Sequence, residues 1–494
     1  MSKFNTASEN SMKTVNKENH VAYRMDWKTK LITMVLTSFF NEEKFYGDNS
    51  EELTNVLVSG INDDPEFVMR LAIFARREFN MRSVSHVIAA YLAHENNGKP
   101  YAKMTIERII LRGDDATEIL SCYLSIFGKP IPNSLRKALK AVFPTFDAYT
   151  LAKYKGEGKS VKMRDILCLC RPTPTSEEQS KVWKDLLEGN IAPAYTWETE
   201  LSAKGNNKET WEELIDSGKV GYMALLRNLR NIINAEPGNI QKVFDKISDK
   251  EAVLHSKQLP FRYLSAYRNL PADKWDSGKA RSALETAAEI AVENMPKIPG
   301  KTIIAIDTSG SMRQTISSKS DIRCADISML LGLMANRICE EAMVWSFDSQ
   351  LYKIDVDKAD NILRTAANAK CPGGSTNMYL PLNYMIEKGI KADRIIYLSD
   401  NECNYNFDSS WAGFRYNHGR QTVQSLADDY RKKINPNLWV HAIDLCGYGT
   451  QQFIGGRTNV LGGWSEKVFE FISLAEQGTD SLIKRIQNYG KSEE

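Results

Sequence analysis

One carboxylate and two hydroxyls stand in a D-x-S-x-S spacing in Asp307-Thr308-Ser309-Gly310-Ser311. These are hard oxygen donors, suited to Mg²⁺ or a similar divalent cation that prefers near-octahedral oxygens and keeps part of its water. Gly310 is expected to let the backbone turn tightly enough for both serines to point the same way. Two later segments add donors: Gly373-Gly374-Ser375-Thr376-Asn377 offers Thr376, and Arg394-Ile395-Ile396-Tyr397-Leu398-Ser399 leads into Asp400. A single loop of this kind reads equally well as a polar helix cap, where Ser and Asp are favoured anyway. Three segments in order favour a cation site built from Asp307, Ser309, Ser311, Thr376 and Asp400.

A second chemistry lies upstream. From Lys129 to Arg171 ten cations face three carboxylates, a net of +7: Lys129, Arg136, Lys137, Lys140, Lys153, Lys155, Lys159, Lys162, Arg164 and Arg171 against Asp147, Glu157 and Asp165. Phe143, Phe146, Tyr149 and Tyr154 are interleaved, a mixture that can neutralise phosphates and offer faces for base stacking. The competing reading is a solvated cationic face over core aromatics. Further on, Arg227 and Arg230 are three apart and share one helix face, whereas Arg262 and Arg268 are six apart and do not.

Enzyme chemistry finds little support in the sequence. The six histidines form no zinc spacing, and no Walker A loop is present. A hydroxyl-rich cation shell is also better suited to docking a carboxylate than to activating water.

The elements that must hold these residues fall into two kinds. Lys301 to Ile306 is an apolar, β-branched run ending on Asp307, and Asp321 to Ile338 carries apolar residues at helical spacing, giving strand, polar loop, helix. Ligands bind at such strand ends in open α/β sheets. Ala342 to Phe347, Arg394 to Ser399 and Leu438 to Leu445 read as further strands, with helices at Tyr379 to Glu387 and Val423 to Lys433. After Asp400, the polar loop Asn401 to Ser410 is expected to overhang the ion, with Cys403 structural. From about Trp27 to Met295 the pattern is helical instead. Short helices recur at about forty residues per pair, as in an α-solenoid. Ile298-Pro299-Gly300 marks the expected boundary.

Bulk properties limit the classes. A chain of 494 residues with 42% hydrophobic content can build several cores. Its formal net charge of +2 makes nucleic-acid binding a matter of local clustering. Eight scattered cysteines without a paired zinc spacing fit a reducing compartment. No apolar run reaches the ~20 residues of a spanning helix. Met1 to Asn19 is polar and unlike a signal peptide, so it is expected to be a disordered arm of a cytoplasmic protein without membrane contact.

Residues 299 to 490 resemble the von Willebrand factor A-type domain, on the D-x-S-x-S loop, Thr376 and Asp400. The resemblance implies a metal-ion-dependent adhesion site with Ser309, Ser311 and Thr376 as direct ligands. Asp307 and Asp400 would hold the ion directly or through water, and an incoming acidic group would complete the shell. The preceding helical part resembles the TROVE module of the Ro ribonucleoprotein family. The likeness rests on Leu71 to Arg77, Leu135 to Ala138, Lys162 to Leu167, Leu225 to Asn231 and Leu259 to Arg268, with Val460 to Phe469 following in the A-type domain.

That resemblance implies a HEAT-like helical ring closed by a Rossmann-like α/β domain. It implies Y-like RNA on the outer basic surface and single-stranded ends of misfolded or structured noncoding RNA in the hole, for RNA quality control or processing. Arg136, Lys137, Lys140, Lys153, Lys155, Lys162, Arg164, Arg171, Arg227, Arg230, Arg262 and Arg268 become the RNA-binding candidates, and the metal site becomes a docking point for an exoribonuclease or another protein. One departure stands out. The family commonly has a histidine after its R-D-x-L-x-L-x segment, tied to Y RNA binding, and this chain has Arg171. Arginine still contacts phosphate or stacks on a base, so the change bears on which RNA is bound. The expected division is a disordered arm at 1–19, the helical RNA-binding module at 20–297 and the A-type domain at 298–494. The alternative reading is a protein-docking scaffold that captures an acidic partner residue at the metal, for which the +7 segment has no use.

Overall fold

The computed structural model describes residues 12–17, 19–37, 50–293, 295–315, 320–404, 422–463, 465, 467–477 and 482–491. The chain forms two compact units, one of Met1–Asn41 with Gly221–Ser481, the other of Glu42–Val220 with Leu482–Glu494. No helix among the described residues is long and apolar enough to cross a membrane.

The second unit is helical, as expected. Pro65–Glu78 starts on a proline, which costs nothing in a first turn, and the side chain of its N-cap Asp64 accepts from the Phe67 amide at 3.0 Å. The helix is buried from Phe67 to Arg76, so it is covered on every side. Ser83–His94 and Lys99–Ile109 pack on it and on each other, and Ser83–His94 also packs on Gly113–Phe127. This pairing of each helix with its next neighbours is how a helical repeat buries apolar faces that no single repeat can cover. The chain's last helix, Leu482–Asn488, returns to Pro65–Glu78. There the Tyr489 ring meets Phe74 edge-on at 5.2 Å, and its hydroxyl donates to Glu78 at 2.8 Å.

A buried charge network fixes this unit. Asp115 is fully buried. It accepts from Arg76 at 3.0 Å, Arg82 at 2.6 Å, and the amides of Leu111 and Arg112 at 2.9 Å each, with His86 at 3.2 Å. Burial alone pushes the carboxyl up, but hydrogen bonding to His86 and Arg82 and the charge of Arg76 hold it well below the usual carboxylate range.

The first unit carries a six-stranded sheet. Its strands are β3 (Ile298–Asp307), β4 (Cys339–Phe347), β5 (Leu351–Ile354), β6 (Arg394–Ser399), β7 (Trp439–Asp444) and β9 (Thr458–Gly462). The order is β5-β4-β3-β6-β7-β9, and all pairs are parallel except β4 with β5. Thr302 to Asp307 of β3 and all of β6 are buried, the near-continuous apolar pattern of parallel strands covered on both faces. The expected helices at Tyr379–Glu387 and Val423–Lys433 have those bounds. The Pro-Gly pair expected to separate the domains lies inside β3, where a register shift between Ile298 and Lys301 absorbs it.

One expectation about organisation needs correction. In the arm expected to be disordered through Asn19, the described segment Lys13–Val15 forms β1, antiparallel to β2 (Val21–Arg24), and β2 pairs with β8 (Thr450–Gln451). Its polar composition hides this because an edge hairpin needs backbone partners more than an apolar face. The compact units group elements from both expected modules. Helix Trp27–Thr37 packs on β9, and Tyr222–Ala235 and later helices stay with the sheet unit.

Because Asp115 has a depressed folded-state pKa, its stabilisation is present above the unfolded carboxylate pKa and is lost as pH falls below it. Asp115→Asn is expected to destabilise the helical unit by about 3–5 kcal/mol at pH 7, the cost of leaving buried cations unpaired. The difference should stay constant down to about pH 5 and narrow below about pH 4. Urea unfolding followed by circular dichroism checks this, and a pH-independent difference would refute it.

Candidate metal and nucleic-acid sites

The sheet register sets the acids at one level. Ile306 pairs with Leu398 and Ser399 with Asp444, so Asp307, Asp400 and Asp444 all come at the C-terminal ends of β3, β6 and β7. Three loops beyond these strands are stitched together by their backbones. The Gly310 amide donates to Gly374 O at 2.8 Å, and the Gly373 amide to Thr308 O at 3.0 Å. The Asn404 amide donates to Thr376 O at 3.1 Å, while the Thr376 amide donates to the Asn404 side chain at 2.7 Å. The structure therefore brings all three sequence-predicted donor segments together.

Within this frame Asp307 is fully buried, with one oxygen accepting from the Ser309 amide at 2.9 Å and the other from Ser399 Oγ at 2.5 Å. Ser309 Oγ and Ser311 Oγ are 3.2 Å apart, so the two serines do aim at one place. The reason differs from the expected one. Gly310 has φ −60° and ψ −40°, which any residue adopts, and a Cβ there would meet nothing closer than 3.6 Å. The glycine that is required is Gly373, at φ +79° with Arg313 filling the space of a side chain.

Burial and the charge of Asp400 push the Asp307 carboxyl above its usual range. Asp444 is pushed up to about 7 by burial and by Asp400, against the pull of the Gly447 and Cys446 amides. Glu402 is also pushed up to about 7, by burial first, although the Lys17 amide and Thr450 hydrogen-bond to it. Sequence reasoning missed Ser399, Glu402, Asn404 and Asp444, yet Asp444 could have been found as a third strand ending on a carboxylate. It also missed that Asn16 donates to Cys403 O at 2.7 Å and the Lys17 amide to Glu402 at 2.8 Å, which anchor the loop after Asp400. Tyr405 and Phe407 of that loop lie outside the described residues, as does His418.

The donor set fits a hard divalent cation. A buried Asp307 carboxyl whose proton affinity is raised by burial and by the neighbouring Asp400, next to converging serine hydroxyls, is an arrangement that a cation relieves. Among the described residues no group of three or more His, Cys, Asp or Glu is arranged to hold an ion alone, so any cation here depends on the hydroxyl oxygens.

The basic candidates separate by environment. Helix Asn133–Val142 buries Leu135, Ala138, Leu139 and Val142, leaving Arg136, Lys137 and Lys140 exposed on the opposite face. Arg136 and Lys140 lie close enough to Cys170 to pull its thiol down against the burial that raises it to about 11. They therefore neighbour Arg171, which is exposed in a left-handed C-cap at φ 47°. Among the described residues no carboxylate pairs with Lys137, Lys140, Lys153 or Arg171. Lys155 is paired with Glu157 at 2.6 Å, Arg164 is exposed 3.9 Å from Asp165, and Lys162 is half-buried with its amide donating to Asp165.

The expected interleaving of aromatics needs revision. Phe143 and Phe146 are core, packed edge-on against each other and, for Phe143, against Trp183 at 5.3 Å. Only Tyr149 and Tyr154 reach the surface.

In the other unit Arg227 and Arg230 are exposed on one face of Tyr222–Ala235. Arg262 is half-buried, and burial together with the charge of Arg227 lowers its pKa, so the two guanidinium groups lie near one another. Arg268 differs. It forms a bidentate pair with Asp326 at 2.7 and 3.0 Å, tying Pro260–Arg268 to Cys324–Ile338, and its side chain serves packing rather than an open surface.

Comparison with known proteins gives a consistent picture. The TROVE domain model matches residues 8–194 and 190–279, and the Ro60 vWA domain model matches 301–425. Telomerase protein component 1 of Rattus norvegicus is 23% identical over 468 residues, spanning 61% of this chain and 18% of that protein. RNA-binding protein RO60 of Caenorhabditis elegans is 25% identical over 220 residues, spanning 42% of this chain and 33% of that protein. The chain thus spans a third or less of these curated relatives. The crystal structure of the Deinococcus radiodurans Ro protein shares the fold at a TM-score of 0.63 and 16% identity, covering 92% of this chain and all of that one.

The raised carboxyls make a pH prediction. Between about 4 and 7 the folded chain keeps protons on Asp444 and Glu402 that the unfolded chain has released, so stability falls as pH rises. With EDTA present, Asp444→Asn is expected to raise stability by about 1–3 kcal/mol at pH 8 and by little at pH 5. Thermal unfolding at the two pH values checks it, and a gain larger at pH 5 would contradict it.

Proposed function

The chain belongs to the TROVE-domain family, and from that premise we propose that it is an RNA-binding protein of a Ro-type ribonucleoprotein. The observation that carries this reading is the exposed cationic face of Arg136, Lys137, Lys140 and Arg171, in which none of the four cations has a carboxylate partner among the described residues and Arg136 donates instead to the Asn133 side chain at 2.7 Å. Cations held apart from carboxylates are available to displace counterions from a phosphate backbone. The RNA-binding relative in Caenorhabditis elegans supports the same reading.

In finer terms, the proposed ligand of this face is a structured, Y-like RNA, with Arg171 making a phosphate or stacking contact. Arg227, Arg230 and Arg262 are proposed to take single-stranded ends of misfolded noncoding RNA, since adjacent guanidinium groups are relieved by an anion. The role is RNA quality control or processing in the cytoplasm, without a catalytic step of its own.

Asp307, Ser309, Ser311, Thr376 and Asp400 are proposed to hold Mg²⁺ or a similar cation. Three of these donors are neutral oxygens, so the bound ion would stay electrophilic toward a carboxylate or phosphate and could dock a protein such as an exoribonuclease. That docking chemistry also supports a second reading, a protein scaffold in which RNA plays no part. Sequencing of RNA co-purified with the native protein separates the two, because a scaffold recovers none above background.

Charge reversal at Arg136, Lys137 and Lys140 together is expected to weaken affinity for structured RNA and to reduce the salt slope by roughly one unit for each phosphate that is no longer neutralised. Filter binding from low to high salt, with circular dichroism as a fold control, reads both quantities. An unchanged affinity and slope would remove this face from the interface.

Asp307→Ala is expected to abolish Mg²⁺ or Mn²⁺ binding in calorimetric titration while changing RNA affinity little. Metal-dependent RNA hydrolysis by the wild type, absent in the variant, would sink the docking role.

A further inference from the structure

A few residues beyond the helix Asn133–Val142 that bears the cationic face, the helical unit carries an open cleft of about 380 Å³ lined by Arg112, Gly113, Phe146, Tyr149, Lys153 and Tyr154 among others. Its two surface rings come from the short helix Ala148–Lys153 and the residue that caps it. Tyr149 is 51% exposed, so its side chain is open to solvent at the mouth of the cleft. Tyr154 is half-buried and forms the other side. The Lys153 ammonium lies 5.6 Å from the Tyr149 ring centre and 5.5 Å from that of Tyr154, so one cation is held against both rings. Arg112 lies 5.5 Å from Tyr154 and is also paired with Asp114 at 3.2 Å.

The walls of this cleft are built rather than incidental. The amides of Leu111 and Arg112 are fixed by Asp115, itself the hub of the buried network. Gly113 lets Tyr154 approach the backbone, because a Cβ there would stand 2.9 Å from the Tyr154 ring and 2.5 Å from the Thr150 methyl. Asp147 caps the helix by accepting from the Thr150 amide at 2.7 Å, which sets the direction in which Tyr149 and Lys153 project. The rigid side thus carries Arg112 and Tyr154, and the exposed side carries Tyr149 and Lys153.

We propose that this cleft is a subsite for one unpaired nucleotide of the RNA bound on the cationic face, the base stacking on Tyr149 and the flanking phosphate meeting Lys153 and Arg112. The proposal rests on the RNA-binding reading above and adds to it a contact with a base, where the Arg136 face supplies contacts with phosphates only. Stacking tolerates any base because each has a π-face, and a cation between two rings is placed for the phosphate that accompanies the base. A duplex cannot use such a site without giving up a base from its stack, so the ligand must carry a bulged or looped nucleotide. An acidic peptide would meet the cations but would gain nothing from the open ring of Tyr149.

The test uses the full chain and a hairpin RNA with a three-nucleotide bulge moved in steps along its stem. Each RNA is made twice, once with the bulged bases present and once abasic with every phosphate retained. Wild type is expected to prefer the base-containing form by about fivefold or more at one or more bulge positions. Tyr149→Ala should bring that ratio to within about twofold while the abasic RNA binds as before, and Tyr149→Trp should restore it. Tyr149 is exposed, so neither variant threatens the fold. A base-to-abasic ratio that Tyr149→Ala leaves unchanged would overturn the subsite. Equal binding of both forms by wild type at every position would overturn the subsite while leaving the RNA-binding reading standing. Binding of neither form by wild type would remove that reading, and the subsite with it.

Discussion

Burial of carboxylates at the C-terminal end of a parallel sheet is the constraint around which the sheet unit is arranged. β3, β6 and β7 run in parallel and in register, so the acids that end them, Asp307, Asp400 and Asp444, come to one level under cover of the loops. Mutual repulsion and loss of water act against such a group, and the chain answers with backbone donors. The amides of Ser309, Cys446 and Gly447 each serve one acid, and the amides of Gly310, Gly373 and Asn404 lock the three loops to one another. The hairpin of β1 and β2 adds to this by holding Glu402 and the loop after Asp400 from the far end of the sequence.

A contrast with the helical unit shows what kind of site each cluster is. Asp115 is as deeply buried as Asp307, yet its carboxyl is held far below the usual range because Arg76, Arg82 and His86 surround it. That acid is satisfied within the protein, and its role is to organise three helices and the turn bearing Arg112. The acids at the sheet edge have hydrogen bonds but too little positive charge, and their carboxyls rise instead. Two buried acids of the same chemistry thus differ in whether the fold supplies their countercharge. Where it does not, a cation from outside has something to gain.

Much of this was legible in the sequence. The strand ends at Asp307 and Asp400, the helix pattern from Pro65 onward and the bounds of Tyr379–Glu387 and Val423–Lys433 all follow from local periodicity, which a single segment carries by itself. The features that escaped notice depend on pairing between distant segments. Lys13–Val15 is polar and short, and it becomes a strand only because β2 offers a ladder, β2 in turn pairing with β8 more than 400 residues away. The closing helix Leu482–Asn488 joins the helical unit through Tyr489, whose partners Phe74 and Glu78 lie near the other end of the chain. No period in the sequence marks such a contact.

The arginines and aromatics make the same point in chemical terms. Composition counts Arg268 with Arg227 and Phe143 with Tyr149, but the fold assigns them differently. Arg268 is spent on Asp326, where burial raises the acid and hydrogen bonds from Arg268 and Arg323 more than offset it, so that the pair fastens two helices of one unit. Arg227 is exposed on a helix face shared with Arg230, and its charge is felt by Arg262 as repulsion. Likewise Phe143 fills a core with Trp183, while Tyr149 stays half exposed beside Lys153. A cation becomes a recognition group when the fold withholds its carboxylate, and an aromatic ring does so when the fold leaves one face uncovered. The unpaired cations Arg136, Lys137 and Lys140 and the exposed Tyr149 lie together on the stretch from Arg136 to Tyr154, and the proposed RNA face rests on that coincidence more than on net charge.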